Sequence, residues 1–203
     1  MKNIPRYISL IIFATLAFSI IGCGGSSDKP DPDPIPDVRL ISNGDTFTYN
    51  NRFNKLEVAS TNDPLFKAIL VDETFTNKSS SNIFGYIQNT KTGELFYATL
   101  TDNGSTYNIE KSFIAFPTEA KVGYRRTYTN VEYYDFTFDS LTISITNTTN
   151  FVVNGKTINA FKVEYNWVTD DTSKIQTRFF APSLGWYIRY EDTNSTLTSY
   201  QIK

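Results

Sequence analysis

Apolar and polar residues alternate with a period of two along most of the chain after residue 82. The longest such run is Val122 to Phe138, in which five even positions are aromatic and five odd positions carry Arg, Thr or Asp. The aromatic positions are Tyr124, Tyr128, Tyr134, Phe136 and Phe138. Successive side chains of a strand point to opposite faces, so this alternation predicts one long strand with a buried face and a solvated face.

The same alternation recurs in Leu141 to Ile145, in Phe161 to Trp167 and in Trp186 to Tyr190. Turn residues separate the runs, and Asn154-Gly155 is the strongest hairpin signal in the chain. Because nearly all connections are short, the strands are expected to pair in sequence order. The prediction is an all-β, mainly antiparallel domain built as a meander.

One segment is ambiguous between helix and strand. Asn62-Asp63-Pro64 resembles a helix start, with a capping side chain and a proline in the first turn, and Leu65, Phe66, Ile69 and Leu70 would then share one face. A strand through Phe66 to Phe75 fits the same residues nearly as well. We therefore allow for one short helix and leave the two alternatives open.

The N-terminal 22 residues have the pattern of a secretory signal peptide. Lys2 and Arg6 precede an apolar run from Ile8 to Ile21, which is too short to span a bilayer comfortably and is expected to be cleaved. The following Gly-Ser stretch and the prolines at every second position from 30 to 36 favour an extended, flexible tether. The expected organisation is a signal at 1–22, a tether at 23–37 and a β domain at 38–203.

Ile20-Ile21-Gly22-Cys23 resembles the lipobox of bacterial lipoproteins. The resemblance implies that Cys23 becomes the first residue and carries acyl chains such as palmitate, which together hold a protein on a membrane. Gly24 and Gly25 follow without an acidic residue, and by similarity to lipoprotein sorting signals this implies the outer membrane. The expected location is the bacterial cell envelope, facing the periplasm or the exterior.

Composition removes several classes of function. Cys23 is the only cysteine and histidine is absent, which excludes an internal disulfide, a histidine-based catalytic triad and a zinc site built on His or Cys. Without Lys2 and Arg6 the chain has 17 basic and 21 acidic residues, a net charge of −4, so no basic surface for nucleic acid is expected. We predict no catalytic residues, no cofactor and no metal.

Two pieces of the second half are similar to bacterial envelope lipoproteins of unknown function. Phe116-Pro117 with Val122-Gly123-Tyr124 resembles a motif that opens a long aromatic strand, and Phe179 to Tyr187 resembles a hairpin containing Ala-Pro and Gly. The chain departs from this pattern at Ser183 and at Trp186-Tyr187. The resemblance implies the curved antiparallel sheet, or half-barrel, of periplasmic lipoprotein carriers, whose concave face holds an acyl chain. A β-sandwich is the alternative.

The aromatic rows allow two interpretations. The residues form either an apolar groove for a lipid or the core that a domain without disulfides needs, and the stabilisation from burying aromatic rings favours a core. The candidate groove residues are Tyr134, Phe136, Phe138, Phe161, Tyr165, Trp167 and Trp186. Two non-catalytic functions follow: binding of a lipid or other apolar ligand, or a scaffold role in which exposed strand faces or sheet edges bind an envelope protein or a glycan.

Overall fold

The computed structural model describes residues 37–51, 56–71, 82–133, 136–170 and 172–203. Within these ranges the chain forms strands and turns but no helix. The strands are β1 (Thr46–Tyr49), β2 (Leu56–Ala59), β3 (Phe66–Val71), β4 (Asn82–Asn89), β5 (Leu95–Asp102), β6 (Tyr107–Phe116), β7 (Arg125–Tyr133), β8 (Phe136–Val153), β9 (Lys156–Thr169), β10 (Thr172–Ala181), β11 (Trp186–Tyr190) and β12 (Ser195–Gln201). The predicted signal peptide, Cys23 and the tether up to residue 36 lie outside the described residues.

The strands form two antiparallel sheets. The five-stranded sheet has the order β2-β3-β4-β5-β6, and the seven-stranded sheet has the order β1-β12-β11-β10-β9-β8-β7. Neighbours are consecutive in sequence everywhere except at β1, which pairs with the last strand and so joins the two ends of the described chain. The prediction of an all-β, antiparallel fold with sequential pairing is confirmed.

The structure decides the open alternative of helix or strand in favour of a strand, and it shows that the prediction of one strand from Val122 to Phe138 is wrong. The segment that was compatible with a helix is a tight turn at Asp63 followed by strand β3, whose Ala68 and Ile69 are both buried, on opposite faces of the sheet. The run from Val122 to Phe138 is divided between β7 and β8. Asn130 adopts a positive φ of 52°, which interrupts the alternation, so that Val131 at an odd position is buried.

The two sheets pack face to face through aromatic side chains. The ring centroids of Phe116 and Phe180 lie 3.8 Å apart in a stacked arrangement. Edge-to-face contacts join Phe113 to Trp167 at 5.5 Å and Tyr86 to Trp186 at 5.3 Å. Such geometries add to the free energy of burial of each ring. The architecture is thus a β-sandwich with curved sheets, and its core lies between them.

Each sheet is bent strongly enough to bring distant strands together. In the seven-stranded sheet the side chain of Asn154, at the β8–β9 turn, donates a hydrogen bond of 2.9 Å to the Tyr200 carbonyl of β12. In the five-stranded sheet an isolated bridge joins Thr61, just after β2, to Tyr107 at the start of β6. The face of the small sheet that points away from the large one therefore buries its own cluster of Phe66, Ala68, Ile87, Ala98 and Leu100.

The segment before β1 is held by a partly buried ion pair. Both oxygens of the fully buried Asp45 carboxylate contact Arg39, at 2.7 and 3.0 Å, and they also accept hydrogen bonds from the amides of Ser42 and Lys203. Burial by itself would raise the pKa of Asp45, but these hydrogen bonds outweigh it and hold the pKa below its usual value. The carboxylate ties the N-terminal segment to the C-terminal residue.

We expect acid to weaken the fold through Asp45. Because the folded state lowers the pKa of this carboxyl, the stabilisation is complete above the unfolded pKa of about 4 and is lost as pH falls through the lower folded value. Asp45→Asn should lower the free energy of unfolding at pH 7 by about 2 kcal/mol and should flatten its decline between pH 5 and pH 2. Urea unfolding across this pH range measures both effects. An equally steep decline in the variant would contradict the assignment.

Candidate functional site: an arginine surrounded by tyrosines

The structure separates the residues that were predicted to line a groove. Phe161, Tyr165, Trp167 and Trp186 are buried, with exposed fractions of 9% or less. Phe138 is half-buried, with its ring 4.8 Å from that of Trp167, whereas Phe136 is 68% exposed. Tyr134 lies outside the described residues.

The four buried members of this set contribute to the packing between the sheets. Trp167 contacts Phe113, and Trp186 contacts Tyr86, both of which belong to the opposite sheet. Tyr165 donates a hydrogen bond of 2.7 Å to the Ala115 carbonyl, also across the interface. An apolar ligand therefore reaches these four side chains only if the sheets separate, whereas Phe136 and Phe138 are accessible at one end of the sandwich.

Strand β10 carries polar side chains on the face that points into the sandwich. Lys174, Gln176 and Arg178 occupy alternate positions, opposite Trp167, Tyr165 and Val163 of β9. Lys174 is exposed, Gln176 is half-buried and Arg178 is only 7% exposed. We call these three side chains the polar strip. It begins at the surface and ends in the core, where a charged side chain is rarely found.

Tyrosines surround the guanidinium group of Arg178. Its Nη1 donates a hydrogen bond of 2.5 Å to the Tyr86 hydroxyl, and its Nη2 donates one of 3.3 Å to the Tyr133 hydroxyl. Three further rings lie within cation–π distance: the guanidinium carbon is 5.1, 5.6 and 5.4 Å from the ring centroids of Tyr165, Tyr187 and Tyr190. We call this group of five tyrosines the tyrosine cage.

Hydrogen bonds hold the rings of the cage in place. The hydroxyl groups of Tyr165 and Tyr187 are 2.9 Å apart, and Tyr165 is also anchored to the Ala115 carbonyl. The Tyr187 carbonyl in turn accepts a hydrogen bond from the Tyr49 hydroxyl of β1. The cage is therefore built from both sheets, and its shape depends on their packing.

The positive charge of Arg178 is not neutralised by a carboxylate among the residues that the structure describes. The acceptors of its Nη1 and Nη2 atoms are neutral hydroxyls, and its Nε, which is buried, has no hydrogen-bond acceptor. Burial by itself would lower the pKa of Arg178, but the surrounding tyrosine oxygens outweigh it and keep the pKa well above its usual value. The group stays charged at every physiological pH.

Three of the cage tyrosines, Tyr165, Tyr187 and Tyr190, stay neutral over the same pH range. Burial raises the pKa of Tyr165, Tyr187 and Tyr190 above the usual value of a phenol. None of these three rings supplies a negative charge to balance the guanidinium. The site combines a buried cation with aromatic rings and leaves the Arg178 Nε without an acceptor, an arrangement that can hold an anion.

Within the described ranges, an open strand edge lies next to the polar strip. Strand β11 pairs with β10 only from Arg178 to Ala181, so residues 172–177 of β10 are paired with β9 on one side. Among the described residues, the other side has one further backbone hydrogen bond, which the Glu191 amide donates to the Thr177 carbonyl at 2.9 Å. Gln176 also accepts a hydrogen bond of 3.0 Å from Trp167 Nε1. The strip thus leads from an open edge to Arg178.

Sequence reasoning did not single out Arg178. The available signal was the alternation in residues 174–179, where Lys, Gln and Arg occupy one face of the strand and Ile, Thr and Phe the other. Normal patterning places the apolar set inside. Ile175 is instead 63% exposed, and the polar set points toward the core.

Within the described ranges, His, Cys, Asp and Glu side chains do not gather in groups of three or more that would hold a metal ion. The same part of the chain contains no helix long and apolar enough to cross a membrane.

In comparisons with protein-family models, curated proteins and solved structures, the chain shows no match.

Proposed function

We propose that the chain is a membrane-anchored lipoprotein of the bacterial cell envelope whose β-sandwich acts without catalysis and binds another envelope protein or a glycan. The lipobox-like sequence ending in Cys23 and the tether pattern after it support the anchoring. The filled interior supports binding at the surface, because aromatic rings from both sheets already occupy the space between them. The surface that best fits this role is the outer face of the seven-stranded sheet.

That outer face carries mainly short polar side chains, which are in register across four strands. The central row is Thr127, Thr142, Asn166 and Ile175, from β7, β8, β9 and β10. Rows on either side contribute Thr129, Ser140, Val168 and Ser173, and Arg125, Ser144, Glu164 and Thr177. Short side chains leave such a face flat, and hydroxyl and amide groups offer both donors and acceptors to a partner.

One row member has an unused acceptor. Asn166 Oδ1 is shielded from solvent and receives no hydrogen bond within the described residues. A buried acceptor without a donor costs free energy, so the Asn166 side chain would gain by turning its amide oxygen outward to a donor on a bound partner. Beside it, Ile175 is an exposed apolar side chain. A mainly polar face with an exposed apolar side chain at its β10 edge resembles the composition of transient protein interfaces, and this is the observation that carries the proposal.

We expect Ile175→Glu to abolish recovery of this partner. The added charge would replace the exposed apolar side chain of this face and would have to be desolvated on binding. Val152→Glu is the matched control, because Val152 is 74% exposed near the β8–β9 turn, away from the central row. The measurement is crosslinking of the tagged, membrane-bound chain in its native envelope. Equal recovery of the partner with both variants would contradict a role for this face.

A second candidate function is binding of an apolar or amphiphilic ligand, as the similarity to lipoprotein carriers implies. Phe136 and Phe138 support it, because they present aromatic surface at the end of the sandwich. The buried cation of Arg178 supports it further, because apolar surface beside an isolated charge suits an amphiphile with an anionic group. This candidate requires that the sheets open locally around the polar strip.

A further inference from the structure

We propose that Arg178 and the tyrosine cage bind the carboxylate or phosphate group of an anionic amphiphile, which enters along the polar strip. This inference rests on the second candidate function and is independent of the outer-face interaction. It specifies which part of the ligand is recognised and by which residues.

The first argument is the uncompensated charge. Burying a guanidinium costs free energy that cation–π contacts and two neutral hydrogen bonds recover only in part. Buried arginines normally have a carboxylate partner. Arg178 has none among the described residues, and its Nε has no acceptor. An oxyanion would supply both the missing charge and the missing acceptor.

The second argument is the path. Lys174, Gln176 and Arg178 share one face of β10 at successive depths, from exposed through half-buried to buried. A cation at the entrance raises the local concentration of anions, and the amide of Gln176 offers a hydrogen-bonding group halfway. Because β11 does not pair with residues 172–177, the part of the chain that the structure describes leaves the strand edge beside this path open.

The third argument concerns the class of anion. The fork of the guanidinium group matches the two oxygens of a carboxylate or phosphate. The faces of Tyr165, Tyr187 and Tyr190 around it are apolar, and the half-buried ring of Phe138 lies against Trp167, next to Lys174. A small hydrated anion gains nothing from these rings, whereas an acyl chain attached to the anion does.

The test compares oleate with oleyl alcohol, which has the same chain but no charge. The protein is the mature chain of residues 23–203 carrying Cys23→Ser, so that no acyl chain of its own competes. Tryptophan emission reports binding, because the chain has two tryptophans, of which Trp186 touches Tyr86 and Trp167 is bonded to Gln176. We expect oleate to bind at least about tenfold more tightly than oleyl alcohol, since hydrogen bonds to charged groups have this effect.

Arg178→Met should remove this preference and leave oleate and oleyl alcohol with similar affinities. Lys174→Glu changes only an exposed residue, so it keeps the test valid if Arg178→Met does not fold. It should weaken oleate binding by about threefold at low salt and leave oleyl alcohol unaffected. Lys156→Glu at the β8–β9 turn makes the same charge change far along the sheet and should have no effect.

The outcomes separate the site from the function. If the Cys23→Ser protein without further substitutions binds oleate and oleyl alcohol equally, Arg178 does not recognise an anionic group, but binding of an apolar ligand is supported. If this protein binds neither compound, both the anion site and the ligand-binding function are contradicted. A second titration uses a lysophosphatidate of the same chain length in place of oleate. The compound with the lower dissociation constant shows whether the site prefers the carboxylate of a fatty acid or the phosphate of a phospholipid.

Discussion

Gly185→Ala is expected to lower the free energy of unfolding by about 3–4 kcal/mol, whereas Gly155→Ala should lower it by only about 1–2 kcal/mol. Both glycines adopt a positive φ, of 70° and 72°, so a side chain strains the backbone equally at both positions. They differ in their surroundings. A Cβ on Gly155 would meet nothing within 4 Å, but a Cβ on Gly185 would lie 2.2 Å from the Arg39 carbonyl oxygen.

The contact with Arg39 matters because several bonds hold that segment in place. The Arg39 amide donates to the Pro182 carbonyl at 2.9 Å, and the Arg39 carbonyl accepts from Gln88 Nε2 at 3.1 Å. The segment therefore bridges the β10–β11 turn and the five-stranded sheet. A methyl group at residue 185 would push it away and loosen the Arg39–Asp45 ion pair as well.

Urea unfolding of the two variants measures this difference directly, because both substitutions add one methyl group and change the slope of the transition little. Equal losses of stability would show that backbone strain alone decides the outcome and that the approach of Arg39 to the turn is not important.

Phe116→Ala is expected to lower the free energy of unfolding by about 3–5 kcal/mol, the usual cost of deleting a large buried aromatic ring. Phe116 is fully buried at the end of β6, stacked on Phe180 and 5.9 Å from Phe161. Its removal would leave a cavity at the contact between the two sheets. Neighbouring rings cannot collapse into it without breaking their own contacts.

Phe136→Ala is the matched control, since it deletes the same side chain from a position that is 68% exposed. We expect a change within about 0.5 kcal/mol. Thermal or urea unfolding of the Phe116→Ala and Phe136→Ala variants measures both changes in the free energy of unfolding. Comparable losses for the two variants would mean that Phe136 packs into the fold and would contradict its assignment to accessible aromatic surface.

The candidate groove residues could not be sorted from sequence alone. Phe136 and Trp167 both occupy the aromatic face of a predicted strand, yet one is exposed and the other is buried against the opposite sheet. Periodicity assigns a side chain to a face but not to a depth along the strand. Depth depends on where the partner sheet ends, and this is a non-local property.

The positions of most strands after residue 82, and the antiparallel pairing of strands that are neighbours in sequence, were determined by the sequence alone. Alternation in β8, β9 and β11 together with short polar turns specifies which residues pair, because a slip of one residue would exchange the buried and exposed faces. The absence of histidine and of a second cysteine likewise excludes whole classes of chemistry on composition alone. These features are local or compositional, so they can be read directly.

Only the tertiary structure decided that the strands divide into two sheets, that β1 pairs with β12 and that Arg178 lies in the core. The first two depend on contacts between residues far apart in the chain, such as Phe47 with Tyr200. The third contradicts local patterning, since Ile175 and Phe179 on the same strand predict the opposite orientation. The tyrosine cage reverses that preference: its rings come from both sheets and provide the cation with partners that no single segment contains.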